Sequence, residues 1–396
     1  MKRILWVGDA TVASGFAACT HTVCDELHEH GWDVHVLGIN YFGDPHPYEY
    51  NIYPCYSPMK GGRDGFGVCR IRSLVDEINP DVIVLLNDPW NIPAYMDALQ
   101  AWSKDSGKEI PPVYGWLAVD GKNMPKDAVN DLDHVITWTK FASRELVRSG
   151  YSGSTSVVPL GVDAGTFQSI GRKKARSHIA IDGKPMAKDD FIVGCVGRNQ
   201  FRKRLDLTIE YFAEFARKYE ADNAKLLIHS APTGDEAFDL RRIADYYGIK
   251  DKLLISEGVL GSGLDKRIMP VIYSVMDTLL TTTQGEGWGL CTLEAMSCGI
   301  PCIVPDWSGL GDWTAGAALA VSCTSSGITA PFGNAGYTIG GVPDKAETVN
   351  ALGAFYASPE CRERYSILGR TLAQSLPWER TAREFRVVLE TSVEGV

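Results

Sequence analysis

Two glutamates eight positions apart bracket the chemically densest stretch of this chain, Thr283-Gln284-Gly285-Glu286-Gly287-Trp288-Gly289-Leu290-Cys291-Thr292-Leu293-Glu294. The residues before it read as a short strand over Thr278–Thr282, and those after it as a helix over Leu290–Ser297 that ends at Cys298-Gly299. A strand feeding a glycine-rich turn that opens a helix aims unpaired backbone N–H groups, and the positive helix end, at an anion. Glu286 then lies in the turn and Glu294 about one helical turn inside. An ionised carboxylate accepts from two donors, so a glutamate pair beside a phosphate cradle suits sugar hydroxyls. Singly, Glu286 reads more simply as a capping acid and Glu294 as a solvated helix residue.

A second stretch concentrates the opposite charge. Val193-Gly194-Cys195-Val196-Gly197-Arg198-Asn199-Gln200-Phe201-Arg202-Lys203-Arg204 puts four basic side chains at the end of a predicted strand, where a Rossmann-like sheet presents its ligands. Alone it would read as a basic surface loop. Trp116-Leu117-Ala118-Val119-Asp120-Gly121 closes another strand, and Asp120 there is either a turn-forming acid or a group that orients or deprotonates a substrate hydroxyl. Asn87-Asp88-Pro89-Trp90 ends a strand in the same half. Gly8-Asp9-Ala10-Thr11-Val12-Ala13-Ser14-Gly15-Phe16 follows the first strand and opens a helix without the GxGxxG spacing that a nicotinamide or flavin enzyme needs.

These motifs resemble a known family. The glutamate pair looks like the E-x7-E motif of retaining GT-B glycosyltransferases of family 4, the group 1 type, and the basic stretch looks like that family's GR…K segment. The resemblance implies that Glu294 holds the nucleotide ribose, Glu286 the transferred sugar, and the amides of Gly289, Leu290 and Cys291 the diphosphate. It implies that Arg198 and Lys203 neutralise the departing diphosphate, that Gly15 approaches the donor phosphate, and that Asp120 stands near the reacting sugar. Arg202 and Arg204 depart from the pattern, standing where relatives carry an acid and a glycine; their charge is expected on the diphosphate, on an acidic acceptor or in solvent. Ser14 replaces one glycine of the usual pair. Val158-Pro159-Leu160-Gly161-Val162-Asp163 through Phe167 resembles the segment that closes the N-domain, and Trp378-Glu379-Arg380 the start of a C-terminal helix that crosses back to the first domain.

The elements that must position these groups alternate along the chain. Strands are predicted at Ile4–Val7, Val34–Gly38, Val82–Leu86, Val113–Leu117 and Val135–Thr139, with helices over Phe16–His30 and Val68–Asn79 and another running to Gly150. The pattern breaks between Gly161 and Asp190, read as a joining region whose charge run, Arg172 to Arg176, faces solvent. A second series follows, with strands at Ile192–Val196, Lys225–His229, Leu253–Ile255, Thr278–Thr282 and Pro301–Val304 and helices over Leu205–Tyr219 and Glu236–Tyr247. The fold class is therefore α/β, two Rossmann-like domains facing a central cleft. The expected domains are 1–170 on the acceptor side, 188–376 for the nucleotide sugar, and a closing helix over 377–396.

Composition excludes several classes. The 396 residues are 45% hydrophobic and 22% charged with a net charge of −10, which describes a packed globule and disfavours a globally basic nucleic-acid binder. The best apolar run, Val82–Leu86, is strand-sized, so no membrane span is expected, although peripheral membrane contact stays open. Ten scattered cysteines without a CxxC pair predict buried thiols in a reducing cytoplasm. Asp131-Leu132-Asp133 spells a metal-binding triplet but precedes a strand, and no metal is assigned. Lys60, Arg63, Arg70 and Arg72 lie among glycines in a stretch read as a flexible loop, with phosphates of nucleic acid or membrane as the alternative partner.

The expected activity is metal-independent, retaining transfer of a sugar from a nucleoside diphosphate sugar, a UDP-sugar such as UDP-glucose by default. No bound cofactor is expected. The acceptor hydroxyl belongs to a glycan, a lipid, a small molecule, a protein or a modified nucleic-acid base. An NDP-sugar epimerase of the same fold, a non-catalytic nucleotide-sugar sensor and a nicotinamide dehydrogenase are the alternatives.

Overall fold

The computed structural model describes the chain except residues 56, 57, 60, 61, 126, 182, 184, 185, 234–237, 257–265, 330–337, 395 and 396. The chain divides into two compact units, the first made of Met1–Val119, Asn123–Leu160 and Trp378–Val396, the second of Asp120–Lys122 and Gly161–Pro377.

The first unit is built on a seven-stranded parallel sheet. Its strands lie in the order Asn51–Pro54, Asp33–Ile39, Arg3–Asp9, Val82–Asn87, Val113–Leu117, His134–Thr137, Ser154–Val157. Every ladder in it is parallel. The central strands are buried along nearly their whole length, as near-continuous apolar runs demand when helices cover both faces. Strand order reverses between Arg3–Asp9 and Val82–Asn87. Helix Gly15–Glu29 starts at Ser14, whose hydroxyl accepts from Ala17 N and donates to Asp9 Oδ2 at 2.6 Å. The serine found in place of a glycine is thus a helix cap, worth about 1 kcal/mol. The C-terminal helix Trp378–Glu394 packs within this unit: Phe385, fully buried, meets Trp6 at 5.4 Å and Trp116 at 4.8 Å, and Arg386 pairs with Glu26 at 2.9 Å.

The second unit carries a six-stranded parallel sheet ordered Leu253–Ser256, Ala224–His229, Phe191–Val196, Thr278–Leu280, Cys302–Pro305, Leu319–Val321. Here the order reverses between Phe191–Val196 and Thr278–Leu280. Helix Leu205–Lys218 lays Leu205, Ile209, Phe212 and Phe215 on this sheet, in the spacing of one helical face. The hairpin of Cys323–Ile328 with Ile339–Pro343 is antiparallel.

Several expectations are corrected. The segment after Gly161 belongs to the second unit and contains helix Arg172–His178. Its charges do not all face solvent. Arg176 is 9% exposed, pairs with Asp277 at 2.7 Å and donates to the carbonyls of Val275, Lys188 and Asp190, while Arg172 also pairs with Asp277. The long stem and five donors of arginine let a buried guanidinium close several backbone carbonyls at once, which a charge count along the chain does not register. The helix read over Glu236–Tyr247 is described over Leu240–Tyr246, and Glu236 and Ala237 lie outside the described residues. Among the described residues no helix is long and apolar enough to cross a membrane. Of the cysteines, Cys69 is exposed and Cys291, Cys323 and Cys361 are half-buried; the other six are buried.

Candidate active site

In an open parallel sheet the loops at a reversal of strand order diverge and leave a crevice at the carboxyl ends of the strands. In the second unit those loops are Gly197–Arg204 and Thr281–Gly289, the two motif stretches. They are stitched together. Gln284 N donates to Arg202 O at 2.7 Å, Thr282 Oγ1 donates to Arg204 O at 2.8 Å, and Thr208 and Thr282 share a hydroxyl hydrogen bond of 2.6 Å. Asn199, 3% exposed, anchors the basic loop by donating to Ala231 O and Phe238 O and accepting from Phe238 N.

The side chains of these loops form a chain of alternating charge. Lys203 Nζ donates to Glu286 Oε1, Arg202 Nη1 reaches Glu286 Oε2 at 3.2 Å and Gly285 O at 2.8 Å, and Arg202 Nε lies 3.3 Å from Asp120 Oδ2. Asp120 and Glu286 are each 8% exposed. Asp120 is placed by the three residues that join the second unit. Lys122 and Ile339 exchange backbone hydrogen bonds of 2.8 and 2.9 Å, and a β-carbon at Gly285 would collide with the Asp120 carbonyl. Gly285 is therefore required for close approach.

The two carboxyls are driven apart. Burial pushes Asp120 above the usual carboxylate range, with Arg202 opposing and Glu286 adding to the rise. Burial acts on Glu286 in the same sense, but Lys203 and Arg202 together overcome it and hold Glu286 below that range. One acid is thus inclined to take a proton and its neighbour to stay ionised, the arrangement that separates acid/base roles within one site.

Helix Leu290–Ser297 opens at Gly289, whose φ of +93° lies in the left-handed region. Trp288 and Trp313 stack with centroids 4.8 Å apart, Trp313 Nε1 donates to Trp288 O, and Gly309 N donates to Glu286 O, so the turn is held from behind. The amides of Leu290 and Cys291 lie in the first turn, where no intrahelical acceptor exists. Glu294 accepts from Tyr273 Oη at 2.6 Å, and burial pushes its carboxyl up to about 7.

Asp120, Lys203, Glu286, Gly289, Leu290, Cys291 and Glu294 thus all stand in one unit, Lys203 and Glu286 on loops at the carboxyl ends of its central strands. Arg198 is exposed on the loop that follows Phe191–Val196. Gly15 belongs to the first unit, at the start of helix Gly15–Glu29. There Thr11, with φ +61°, donates its N–H to His21 Nε2 at 3.1 Å, and Asn40 and Ser14 both donate to Asp9. Asn87 accepts from Asp88 N and Asn91 Nδ2.

Arg202 bridges Asp120 and Glu286, and Arg204 pairs with Asp206 at 2.9 Å, so neither faces solvent unpaired. Two buried carboxylates side by side attract the nearest cation, and the register of the basic loop hands that place to Arg202. Tyr273 escaped sequence reading altogether, because a tyrosine in an apolar helix carries no motif. Asp131 and Asp133 accept from Gln100 Nε2 and Val113 N. In the basic glycine-rich stretch, Lys60 and Gly61 lie outside the described residues, Arg70 donates to Pro54 O and Arg72 pairs with Asp105.

Residues 179–315 match the family model described as glycosyl transferases group 1. A D-inositol 3-phosphate glycosyltransferase of Gordonia bronchialis is 25% identical over 310 residues, 75% of this chain and 60% of that protein. The chain thus matches about 60% of that relative's length. Among solved structures, sucrose-phosphate synthase from Thermosynechococcus elongatus superposes with a TM-score of 0.73 at 18% identity over the full length of both chains. The E. coli trehalose-6-phosphate structure bound with UDP-2-fluoro glucose superposes with a TM-score of 0.67 at 13% identity, covering 98% of this chain and 99% of that one. Both likenesses give the fold: two parallel α/β sheets of the GT-B kind.

Proposed function

We propose that the chain is a glycosyltransferase of the group 1 type and that it transfers a sugar, with retention and without a metal, from a nucleoside diphosphate sugar to an acceptor hydroxyl. A UDP-sugar is the favoured donor, as in the E. coli neighbour that binds UDP-2-fluoro glucose. The observation that carries the reading is the alternating cluster Asp120, Arg202, Glu286, Lys203 beside the amides that open helix Leu290–Ser297.

In this reading the diphosphate lies on the Leu290 and Cys291 amides and on Arg198 and Lys203, the ribose on Glu294 and the transferred sugar on Glu286, with Gly15 approaching the donor phosphate. The anomeric carbon–oxygen bond to the diphosphate breaks and a bond to the acceptor oxygen forms on the same face. The acceptor's proton leaves with the departing diphosphate, and Asp120 orients that hydroxyl. Negative charge gathers on the diphosphate as the bond breaks, where fixed cations and amides lower the barrier most.

Lys203 donates to Glu286, so in this reading donor binding exchanges one anion for another at its ammonium group. Arg202 remains on Glu286 and keeps it ionised for sugar hydroxyls.

The test is thermal unfolding with UDP, GDP, ADP and NAD at equal excess, followed by mass analysis of products from the matching nucleotide sugars. A ligand at about 100 times its dissociation constant adds about 2.7 kcal/mol. A shift with one nucleoside diphosphate and release of that diphosphate on turnover support the reading; a shift with NAD alone overturns it.

A further inference from the structure

One oxygen of Glu294 is already engaged. Tyr273, fully buried on helix Met269–Ser274, donates its hydroxyl to Glu294 Oε2 at 2.6 Å, and among the described residues it is the side chain that hydrogen-bonds this carboxylate. The phenol ring is fixed from the other side by Phe167, edge-on at 6.2 Å. Phe167 is in turn tied to the glutamate's own helix, since its carbonyl accepts from Ser297 Oγ at 2.7 Å.

We propose that Tyr273 is a positioning residue for the nucleotide: it fixes the Glu294 side chain by Oε2 and presents Oε1, as an ionised acceptor, to the ribose hydroxyls. The inference rests on the reading of Glu294 as the ribose ligand. A free glutamate side chain would lose rotamer entropy on binding, and Tyr273 removes that cost beforehand.

The Tyr273 hydroxyl also governs the charge. Burial raises the Glu294 carboxyl to about 7, and the Tyr273 hydrogen bond works against that rise. The other titratable groups seen around it among the described residues are thiols, Cys291 on its own helix and Cys298 just past its end, both pushed up to about 12, so they stay neutral near pH 7. Arg370, from helix Pro359–Gln374, acts on Cys298. No second carboxylate is seen to act on Glu294 among the described residues. Deleting the phenol hydroxyl therefore sends the Glu294 carboxyl higher still.

The experiment is calorimetric titration of UDP, with GDP and ADP in parallel and inorganic pyrophosphate as a ligand lacking ribose, from pH 5.5 to 8.5. Wild type, Tyr273→Phe and Glu294→Gln are compared. Wild-type affinity for the nucleoside diphosphate should rise through about pH 7 and level off. Tyr273→Phe should bind about tenfold more weakly near neutral pH, with the rise displaced to higher pH, while pyrophosphate affinity stays as in wild type. Tyr273→Phe removes one oxygen and keeps the ring against Phe167, and retained pyrophosphate binding certifies the fold. A Tyr273→Phe profile that superposes on wild type overturns the positioning role. If Glu294→Gln instead keeps both the affinity and the pH dependence of wild type, Glu294 is not the ribose ligand and the parent reading fails.

Discussion

Arg202 and Glu286 meet at 3.2 Å, and the same guanidinium lies 3.3 Å from Asp120, so one arginine couples the two carboxylates of the candidate site. A planar fork serves two acids at once, which a lysine, as a single point charge, does not. Arg202→Lys is expected to lower kcat more than it raises the donor KM, because it leaves one buried carboxylate without its partner. Steady-state kinetics with the identified donor measure this split.

Asp120→Asn keeps the shape of the site and removes the carboxyl group that orients the acceptor. Its kcat should fall about a hundredfold, within the usual range for a positioned acid or base. Nucleoside diphosphate affinity, read by calorimetry, should stay within about twofold of wild type, since in the proposed arrangement no part of the nucleotide rests on Asp120.

Gly289 should tolerate no side chain. Its φ of +93° strains any other residue, and a β-carbon there would stand 2.7 Å from Leu310 Cδ2. Gly289→Ala is expected to cost about 1–3 kcal/mol and to distort the first turn of helix Leu290–Ser297. Nucleoside diphosphate binding should weaken about tenfold or more, as calorimetry would register.

The first unit should lose stability in mild acid through His21. The ring is 8% exposed, stacks on Tyr48 at 3.6 Å, accepts from Thr11 N and lies 2.8 Å from the Tyr50 hydroxyl. Burial, with His46 adding to it, lowers its pKa from 6.5 to about 4. The fold prefers the neutral ring, so this contribution is complete above pH 6.5 and is lost as pH falls from there to about 4. The loss amounts to roughly 3 kcal/mol. Urea unfolding of wild type and His21→Gln across that window should show a slope in the first and a flatter response in the second.

Phe385→Ala should destabilise the first unit by about 3–5 kcal/mol, the cost of emptying a fully buried aromatic site between Trp6 and Trp116. Arg386→Ala, which removes a partly exposed pair with Glu26, should cost about 1 kcal/mol or less. Denaturation midpoints followed by tryptophan fluorescence would separate the two.

The sheets were legible because parallel strands covered on both faces are short apolar runs; Val113–Leu117 was predicted with the bounds it has. Strands whose outward faces are wet were missed. Ser154–Val157 alternates serine and threonine, and Leu319–Val321 has three residues, too few for any period. In the site, glycines and glutamates could be read by spacing, since a turn and a helix fix both. Arg202 could not, because which of three adjacent cations also reaches Asp120, 82 positions earlier in the chain, depends on the 3₁₀ turn Phe201–Lys203. Arg176 and Tyr273 were hidden for the same reason: their partners, Asp277 and Glu294, are distant in sequence.

The first unit is assembled from both ends of the chain, while the second is almost entirely the continuous stretch Gly161–Pro377. During synthesis the two therefore mature in an order opposite to their place in the sequence. The second unit can close once Pro377 has emerged, whereas the sheet of the first must wait, with Trp6 and Trp116 uncovered, until Phe385 arrives. For this chain the arrival of helix Trp378–Glu394 is itself a folding step, and a chain cut short near Pro377 would carry a finished insert within an unfinished host.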